Sequence, residues 1–542
     1  MPTSGTTAVR RSLFDVQTDY DNGNKEELEN LMRAWRGIKA LPPEDPRSFF
    51  VIGGYHGEPF RGPGATDPAY WGGYCEHGTV LFPTWHRAYL HVLEKALQSI
   101  AGCENVMLPY WDECSPASRS YGIPAALTWA TFELDGEIIA NPLRSFILPV
   151  ALGDQLQGDD SLYSKPAGYE TVRYPLSGLV GTPADQAATA AHNAKFPNDA
   201  TNVGLLNQNV ADWLNGMAVV NGKPVGAAVY DRYVSCLNTP TYTLFSNTTS
   251  AGAWNKANPQ QLVVPLESPH NAVHLAVGGF DVPGQGDFSP IPGANGDMGE
   301  NDTAGLDPIF FFHHCFIDYA FWTWQKKHGA TSAPLTIDYA DPGANSSTGT
   351  AQGPAAGTPP DTPLTADSPL NPFLMDDGSG GTRPMTTNDV TDIRQLGYDY
   401  GFGSLDRFVD ASEAALLPGA AASAEGRRAV YVSGIDRSKI RGSFVISAYA
   451  NIDGEVRPLG HEAVLSRRHV EGCINCQVHL EARTSFRLPE GAEGAVPPVH
   501  VEIRTRTRIL ASGTAAGAQT RLEAPALAAF AGDAPLFKAE IQ

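Results

Sequence analysis

Apolar residues recur at helical spacing in four segments of the first 330 residues. Residues 25–40 carry an apolar stripe typical of an amphipathic helix. A second helix is expected after Thr84, interpreted as its N-cap, and it should end near Gly102. A short helix is predicted over residues 268–276. Residues 308–327 are apolar almost all round, as expected for a helix buried on every side.

Segments rich in Pro and Gly separate and follow these helices. Residues 115–265 show no clean period and predict long loops with short helices. Residues 340–386 contain little apolar sequence and predict a further long loop. An Ala-rich stretch over residues 410–426 predicts a linker, so a domain boundary is expected there.

The last quarter of the chain alternates polar and apolar residues instead. Four segments rich in Val and Thr predict β-strands; they are residues 428–432, 443–449, 477–486 and 500–506. We therefore expect a mainly α domain over residues 1–409, the linker over 410–426, and a small all-β, sandwich-like domain over 427–542.

Composition excludes several classes of partner. The 542 residues carry a formal net charge of −21, which disfavours binding to nucleic acid or to an anionic membrane. No run of apolar residues is long enough to predict a transmembrane helix. Arg10-Arg11 is followed by polar residues rather than by the apolar stretch of an export signal. We therefore expect a cytoplasmic protein, or one that is exported by no signal of its own, and leave a homo-oligomer open.

Histidine spacing gives the main chemical signal among the fourteen histidines. His270 and His274 are four residues apart, so on a helix both imidazoles share one face and can reach one metal ion. Asn271 stands where a zinc protease of the His-Glu-x-x-His type has its glutamate, which disfavours a zinc hydrolase. Spacing alone leaves copper, zinc, iron and nickel open, because imidazole suits all four. Taken singly, each histidine could also be an ordinary structural residue.

Two longer motifs resemble the copper signatures of the tyrosinase family. They are residues 77–94 (HGTVLFPTWHRAYLHVLE) and residues 307–318 (DPIFFFHHCFID). The resemblance implies a buried four-helix bundle with long loops that holds two copper ions. By the family pattern, His91 and His313 lie outside the ligand set. The implied ligands are His56, His77 and His86 for the first copper, and His270, His274 and His314 for the second.

The resemblance also implies the reaction. With O₂ as co-substrate, the enzyme would hydroxylate monophenols such as tyrosine at the ortho position and oxidise o-diphenols to o-quinones. A catechol oxidase or an o-aminophenol oxidase would share all six ligands. An oxygen carrier of the hemocyanin kind would share the dicopper site without substrate turnover. Phenolic small molecules are thus the expected partners.

Four further residues receive roles from the resemblance. Cys75 would form a thioether with His77, as in the fungal-like branch of the family. Glu267 and Asn271 would hold a water that accepts the phenol proton, which needs a base because phenols have pKa values near 10. Counting back thirteen positions from His314 reaches Asn301, the expected gate residue above the coppers. Glu267, Asn271 and Asn301 are therefore the candidate catalytic residues.

One position departs from the family pattern. Tyr319 follows Asp318, where many relatives carry arginine, and this leaves the anchoring of the helix in doubt.

The end of the chain resembles a latent form of the family. Residues 396–401 (LGYDYG) resemble the tyrosine motif that closes the catalytic domain. The remainder resembles a C-terminal shielding domain that places one side chain in the substrate pocket. The candidates for that side chain are Phe444, Tyr449 and Leu465.

The seven cysteines do not form a secreted disulfide framework. Cys473 and Cys476, with two residues between them, suit copper delivery because two thiolates capture Cu(I) well; a disulfide or two unrelated thiols are the alternatives.

Overall fold

The structure is a computed structural model that describes most of the chain. The described residues are 8–61, 72–153, 164–216, 219–220, 223–224, 228–279, 296–346, 361–410, 428–468, 470, 479–489, 497–506, 509–515, 521–525 and 535–542. The predicted linker therefore lies, apart from its first residue, outside the described residues.

Thirteen α-helices lie in the described part of the chain, all of them before residue 391. They are α1 Leu13–Asp21, α2 Glu26–Ala40, α3 Phe49–Gly54, α4 Phe82–Gln98, α5 Pro116–Tyr121, α6 Pro183–Asn193, α7 Asp199–Asn215, α8 Val229–Cys236, α9 Tyr242–Ser246, α10 Thr248–Ala257, α11 Glu267–Gly278, α12 Ile309–His328 and α13 Thr387–Val390. None of these helices is long and apolar enough to span a bilayer.

Helices α2, α4, α11 and α12 form the centre of the first domain. Helix α4 packs against both α2 and α12, and α11 meets α12 through imidazole rings. Helix α12 is buried from Ile309 to Gln325, as its unbroken apolar sequence requires. It ends at Gly329, whose φ of 65° is the left-handed conformation that glycine adopts most readily at a helix C-terminus. The mainly α first domain is therefore confirmed.

Three details of the sequence interpretation are wrong. Helix α4 begins at Phe82, with Leu81 at the N-cap, because Pro83 suits the first turn of a helix; Thr84 lies inside it. The segment 115–265 contains the 17-residue helix α7, which packs on α5 and α11. Residues 340–386 include an antiparallel hairpin, and its two strands pack near α4 and α13.

Short strand pairs accompany the helices. They are β1 Ala8–Arg10 with β10 Tyr398–Tyr400, β2 Thr131–Leu134 with β3 Glu137–Ala140, β4 Leu152–Gly153 with β5 Ser164–Lys165, β6 Val219–Val220 with β7 Lys223–Pro224, and β8 Pro369–Asp376 with β9 Thr382–Thr386. The β1–β10 pair is parallel and joins the start of the first domain to its end.

The second domain is a β-sandwich, which confirms the predicted class. Its strands are β11 Ala429–Asp436, β12 Phe444–Ile452, β13 Glu455–Val464, β14 Glu481–Arg487, β15 Val499–Arg504, β16 Ile509–Ala515, β17 Arg521–Pro525 and β18 Pro535–Ile541. One sheet has the order β14-β11-β18-β17 and the other β13-β12-β15-β16. Apolar side chains from both sheets, including Phe444 and Phe537, form a core separate from that of the helical domain.

A buried ionic network anchors α12, so the doubt raised by Tyr319 is removed. The Asp318 carboxylate accepts hydrogen bonds from Arg87 (2.5 Å), Arg10 (3.3 Å) and Tyr400 (2.6 Å). Tyr398 donates a further bond of 2.7 Å. Tyr319 turns elsewhere and donates its own hydroxyl to Asp406. The helix is therefore held through the aspartate, without an arginine at the next position.

Candidate metal centre

Two groups of histidines meet inside the helical domain. Within each group, the available ring nitrogens lie within 4.8 Å of one another. The first group is His56, His77 and His86, and the second is His270, His274, His313 and His314. Helices α4, α11 and α12 supply all but two of these residues; His56 follows α3, and His77 precedes α4. The structure thus brings together all six histidines that the resemblance implied.

The second group has the geometry of a metal site. Nε2 of His314 lies 3.2 Å from Nε2 of His270 and 3.3 Å from Nε2 of His274. Three imidazole nitrogens this close would repel one another if each presented a lone pair with nothing between them. A cation at their centre removes that repulsion, since neutral imidazole is a common metal ligand.

Hydrogen bonds on the far side of the rings assign the tautomers. Nδ1 of His86 donates to the carbonyl of Phe82 (2.8 Å), and Nδ1 of His274 donates to the carbonyl of Met298 (2.9 Å). Nδ1 of His270 donates to Oδ1 of Asn271 (3.0 Å). With the proton on Nδ1, each Nε2 keeps its lone pair, the arrangement found in metal-ligating histidines.

The two groups face each other across a narrow gap. The rings of His86 and His314 are stacked with centroids 4.4 Å apart, and those of His77 and His270 lie 5.5 Å apart. Two ions, one in each triad, would therefore share one small space between the helices.

Burial keeps these imidazoles neutral. Desolvation lowers the pKa of His86 from 6.5 to about 3 and holds the pKa of His56 and His270 well below the usual range. Neutral imidazole is the form that binds a metal, so the site is ready for an ion at neutral pH.

The donor set fits copper. The Nε2 atoms of His56, His77 and His86 are buried, and they have no hydrogen-bond partner among the residues that the structure describes. Each triad offers three imidazole nitrogens and no carboxylate, which disfavours magnesium and calcium and suits copper or zinc. Two such triads facing each other would hold a pair of copper ions, one in each triad.

His313 belongs to the same 4.8 Å group as the second triad, and two residues outside that group hold its ring. Its Nδ1 lies 2.5 Å from Oε1 of Glu113, and the Tyr233 hydroxyl donates to Oε2 of the same carboxylate at 2.6 Å. Its ring stacks on His270 with centroids 5.2 Å apart. The sequence analysis missed Glu113 and Tyr233, because nothing in their local pattern marks them as neighbours of a histidine that lies 200 and 80 residues away, respectively.

Glu267 and Asn271 line a cavity beside His77. Oε1 of Glu267 accepts a hydrogen bond from the Gly78 amide (2.9 Å), and Oε2 accepts two from Thr248. Burial raises the pKa of Glu267 above its ordinary value. These two predicted residues thus lie together at the wall of the site.

The other predicted residues lie at the edge of the site. Cys75 is buried, and Nδ2 of Asn301 donates to its sulfur at 3.7 Å. Asn301 is not among the residues that line the cavity beside His77. The thioether to His77 and the gate role of Asn301 stay predictions. Cys473 and Cys476 lie outside the described residues.

The β-sandwich domain closes the same cavity. Leu465, Arg437 and His479 line it together with His77. Leu465 packs into the core of the helical domain, unlike Phe444, which belongs to the core of the sandwich. Tyr449 lies on β12 beside His500 and does not line the cavity. Of the three candidates for a shielding side chain, only Leu465 is placed beside the histidines.

Comparison with known proteins gives a consistent result. Residues 46–327 match the family model described as the common central domain of tyrosinase. The chain is 52% identical to a tyrosinase from Hahella sp., over 89% of this chain and 88% of that protein. It is 42% identical to a tyrosinase from Aspergillus oryzae, over 95% of each. A solved tyrosinase from Burkholderia thailandensis superposes with a TM-score of 0.80 at 49% identity, covering 92% of this chain and 95% of that one.

Proposed function

Because the chain belongs to the tyrosinase family of dicopper oxidases, we propose that it hydroxylates monophenols and also oxidises o-diphenols to o-quinones. The two histidine triads would hold the copper ions, and the bound pair supplies the electrons that reduce O₂. The protein itself positions the phenol, takes its proton and keeps water away. The observation that carries the proposal is the pair Glu267 and Asn271 beside the triads.

A monophenol has to lose its hydroxyl proton before it can be hydroxylated. Glu267 is buried and held by Gly78 and Thr248, and the side chain of Asn271 is fixed by its hydrogen bond to His270. A water between the two side chains would therefore meet a fixed carboxylate and a fixed amide. Such a water can take the phenol proton and give a proton to Glu267, whose raised pKa makes it a better base than an exposed carboxylate.

The test is the ratio of two rates in one variant. Glu267→Gln should lower kcat/KM for tyramine about a hundredfold, a typical loss for a positioned base, and lower that for 4-ethylcatechol much less. Glu170→Gln, an exposed glutamate, serves as the matched control and should change neither. Equal loss on both substrates would mean that Glu267 only supports the fold. Wild-type values of kcat/KM for both tyramine and 4-ethylcatechol would refute the role of Glu267 as the base.

We also propose that the full chain is latent. The cavity beside His77 has a volume of about 50 Å³, well below the ~150 Å³ that holds one benzene ring. Leu465 of the sandwich domain lines this cavity and packs into the core of the helical domain. Among the residues that the structure describes, Leu465 thus stands where a phenol would enter this cavity, and we expect it to move away before substrate reaches the histidines.

Latency is tested by cleavage of the intact, copper-loaded protein. A protease recognition sequence placed within residues 410–426 allows the full chain to be purified first and cut afterwards. Oxidation of 4-ethylcatechol should rise at least tenfold after cleavage. Equal rates before and after would contradict latency. Reversible O₂ binding without turnover in the cut protein would instead favour an oxygen carrier, and turnover of catechol or o-aminophenol but not tyramine would favour the narrower oxidases.

A further inference from the structure

A buried arginine of the sandwich domain contacts two carboxylates of the helical domain. Arg467 is fully buried. Its Nη2 lies 2.6 Å from Oε1 of Glu58, and its Nε lies 2.8 Å from Oδ1 of Asp302. Nη1 donates to the carbonyl of Gly72 at 2.8 Å. The guanidinium is thus a cation enclosed by three acceptors of the helical domain.

The two carboxylates belong to the segments that build the metal centre. Glu58 lies two residues after the ligand His56, and its amide donates to the carbonyl of Asp302 at 2.6 Å. Asp302 follows Asn301, whose amide donates to the carbonyl of Ser466. The two carboxylate residues around Arg467 are therefore bonded to each other through the backbone, and one of them follows the ligand His56 closely in the chain.

The residues just before Arg467 connect this site to the substrate cavity. Leu465 lines the cavity together with His77 and Asn271. Two residues later, Arg467 forms ion pairs with Glu58 and Asp302. The segment thus presents an apolar group beside His77 and, two residues later in the sequence, a cation held by two carboxylates. A compound with an aromatic ring and an ammonium group on a short aliphatic chain carries the same two kinds of group as Leu465 and Arg467, one apolar and one cationic.

We propose that Glu58, Asp302 and the Gly72 carbonyl form a subsite for the cationic group of a phenolic amine, and that Arg467 fills this subsite in the latent chain. The inference rests on the proposed latency, because the subsite is free for substrate only when Arg467 withdraws. The preferred substrate class is then phenols and catechols with an alkylammonium side chain. Phenols with a carboxylate side chain are disfavoured.

The charge of the two domains supports this preference. Residues 427–542 contain 15 Lys and Arg against 12 Asp and Glu, so residues 1–426 carry a net charge of −24. Arg437 and Arg483 of the sandwich domain line the cavity that contains Glu267. When the sandwich moves away, the entrance to the metal centre loses these cations and keeps its carboxylates. An anionic substrate then meets like charge.

The first experiment compares three catechols with the same ring on the cleaved, copper-loaded enzyme: dopamine, 4-ethylcatechol and 3-(3,4-dihydroxyphenyl)propionate. We expect kcat/KM for the cation to exceed that for the neutral compound about tenfold, as expected of a charge-assisted hydrogen bond. The anion should be slowest. Equal values for the cation and the neutral compound, or a preference for the anion, would overturn the proposal.

Variants assign the effect to the subsite. Glu58→Gln and Asp302→Asn should each lower the dopamine to 4-ethylcatechol ratio about tenfold, mainly through KM, with two copper ions still bound per chain. Asp185→Asn is the matched control, because Asp185 pairs across the same interface with Arg468 at 2.7 Å but is partly exposed; its ratio should stay at the wild-type value. A ratio that stays high in both subsite variants, or falls equally in the control, would contradict the assignment.

A binding measurement avoids turnover altogether. Calorimetric titration of the cleaved enzyme with phenethylamine, which has no hydroxyl group to oxidise, should show binding that weakens about tenfold in Glu58→Gln. Titration with 3-phenylpropionate should show weaker binding than phenethylamine. Equal affinity for the two compounds would refute the subsite even if a variant folds poorly.

Failure of latency is distinguished from failure of the subsite. If cleavage does not change the rate on 4-ethylcatechol, latency is wrong, and Arg467 stays in the subsite of an active enzyme. In that case Arg467→Met in the uncut chain should still raise the dopamine to 4-ethylcatechol ratio. If that ratio does not rise, the subsite is wrong as well.

Discussion

The pair Arg87–Asp318 should control both the stability of the helical domain and the geometry of the metal centre. Arg87 follows His86 directly on α4, and Asp318 lies one helical turn after His314 on α12. Their contact of 2.5 Å is fully buried and joins the two helices that supply one ligand to each triad. The perturbation that tests this link is Asp318→Asn, which keeps the shape of the side chain and removes its charge.

The expected loss follows from the partners of the carboxylate. Arg10 keeps Glu94 at 2.9 Å, but Arg87 is left with Gln325 and two backbone carbonyls, none of which carries a negative charge. Breaking a buried ion pair on one side costs about 3–5 kcal/mol. Asp318→Asn should therefore lower the free energy of unfolding by about 3–5 kcal/mol. It should also weaken copper binding, because the ion pair that joins α4 to α12 is lost.

Equilibrium denaturation of the copper-loaded protein measures the decrease in the free energy of unfolding. Copper analysis after dialysis measures how many copper ions each chain retains. The control is Asp19→Asn, which removes a pair with Arg11 that is about one-third exposed and should cost at most about 1 kcal/mol. If Asp318→Asn unfolds within about 1 kcal/mol of wild type and keeps both copper ions, the link between the helices does not have the role assigned to it.

The same pair predicts a pH effect. Burial opposes ionisation of Asp318, but the charges of Arg87 and Arg10 outweigh it and hold its pKa below the ordinary value of about 3.9. A lowered carboxyl pKa contributes stability above that value, and the contribution is lost as the pH falls through the lower pKa of the folded state. In Asp318→Asn this part of the acid destabilisation should be missing.

Three further predictions concern the site. In the copper-free protein, the free energy of unfolding should decrease as the pH is lowered from 6.5, by about 2 kcal/mol at pH 5 for each histidine that stays neutral when folded. The reason is that the lowered pKa of residues such as His86 lets only the unfolded chain take up protons. A copper-free protein with the same free energy of unfolding at pH 7 and pH 5 would disprove this. Leu465→Gly should raise 4-ethylcatechol oxidation in the uncut chain at least tenfold, and a rate equal to that of wild type would show that Leu465 does not close the cavity. Cys75→Ala should abolish a mass deficit of two hydrogens in the peptide that joins Cys75 and His77; wild-type peptide without that deficit would mean that no thioether forms.

Sequence reasoning worked best where one local motif fixes the chemistry. The signatures around His86 and His314 predicted ligands that the structure brings together, and the apolar run over 308–327 predicted α12 almost to the residue. Helix α7 was missed because its sequence is rich in Asn and has only a weak apolar stripe. It is stabilised instead by its Asn198 N-cap, by the left-handed Gly216 at its end and by packing on α11.

Other features depend on contacts between distant segments. Glu113 and Tyr233 support His313 from parts of the chain 200 and 80 residues away. Arg467, beside Arg468 in the sequence, has the pattern of a solvent-exposed basic pair, yet it is buried because Glu58 and Asp302 meet it across the domain boundary. The anchoring role expected of an arginine after Asp318 also proved unnecessary, since Arg10 and Arg87 reach Asp318 from elsewhere in the fold.

Anomalous diffraction from crystals of the copper-loaded full chain, measured on both sides of the copper absorption edge, tests the central claim most directly. Two peaks should appear, one at bonding distance from Nε2 of His56, His77 and His86, and one at bonding distance from Nε2 of His270, His274 and His314. A single peak, or two peaks of which either lies away from its triad, would contradict the account.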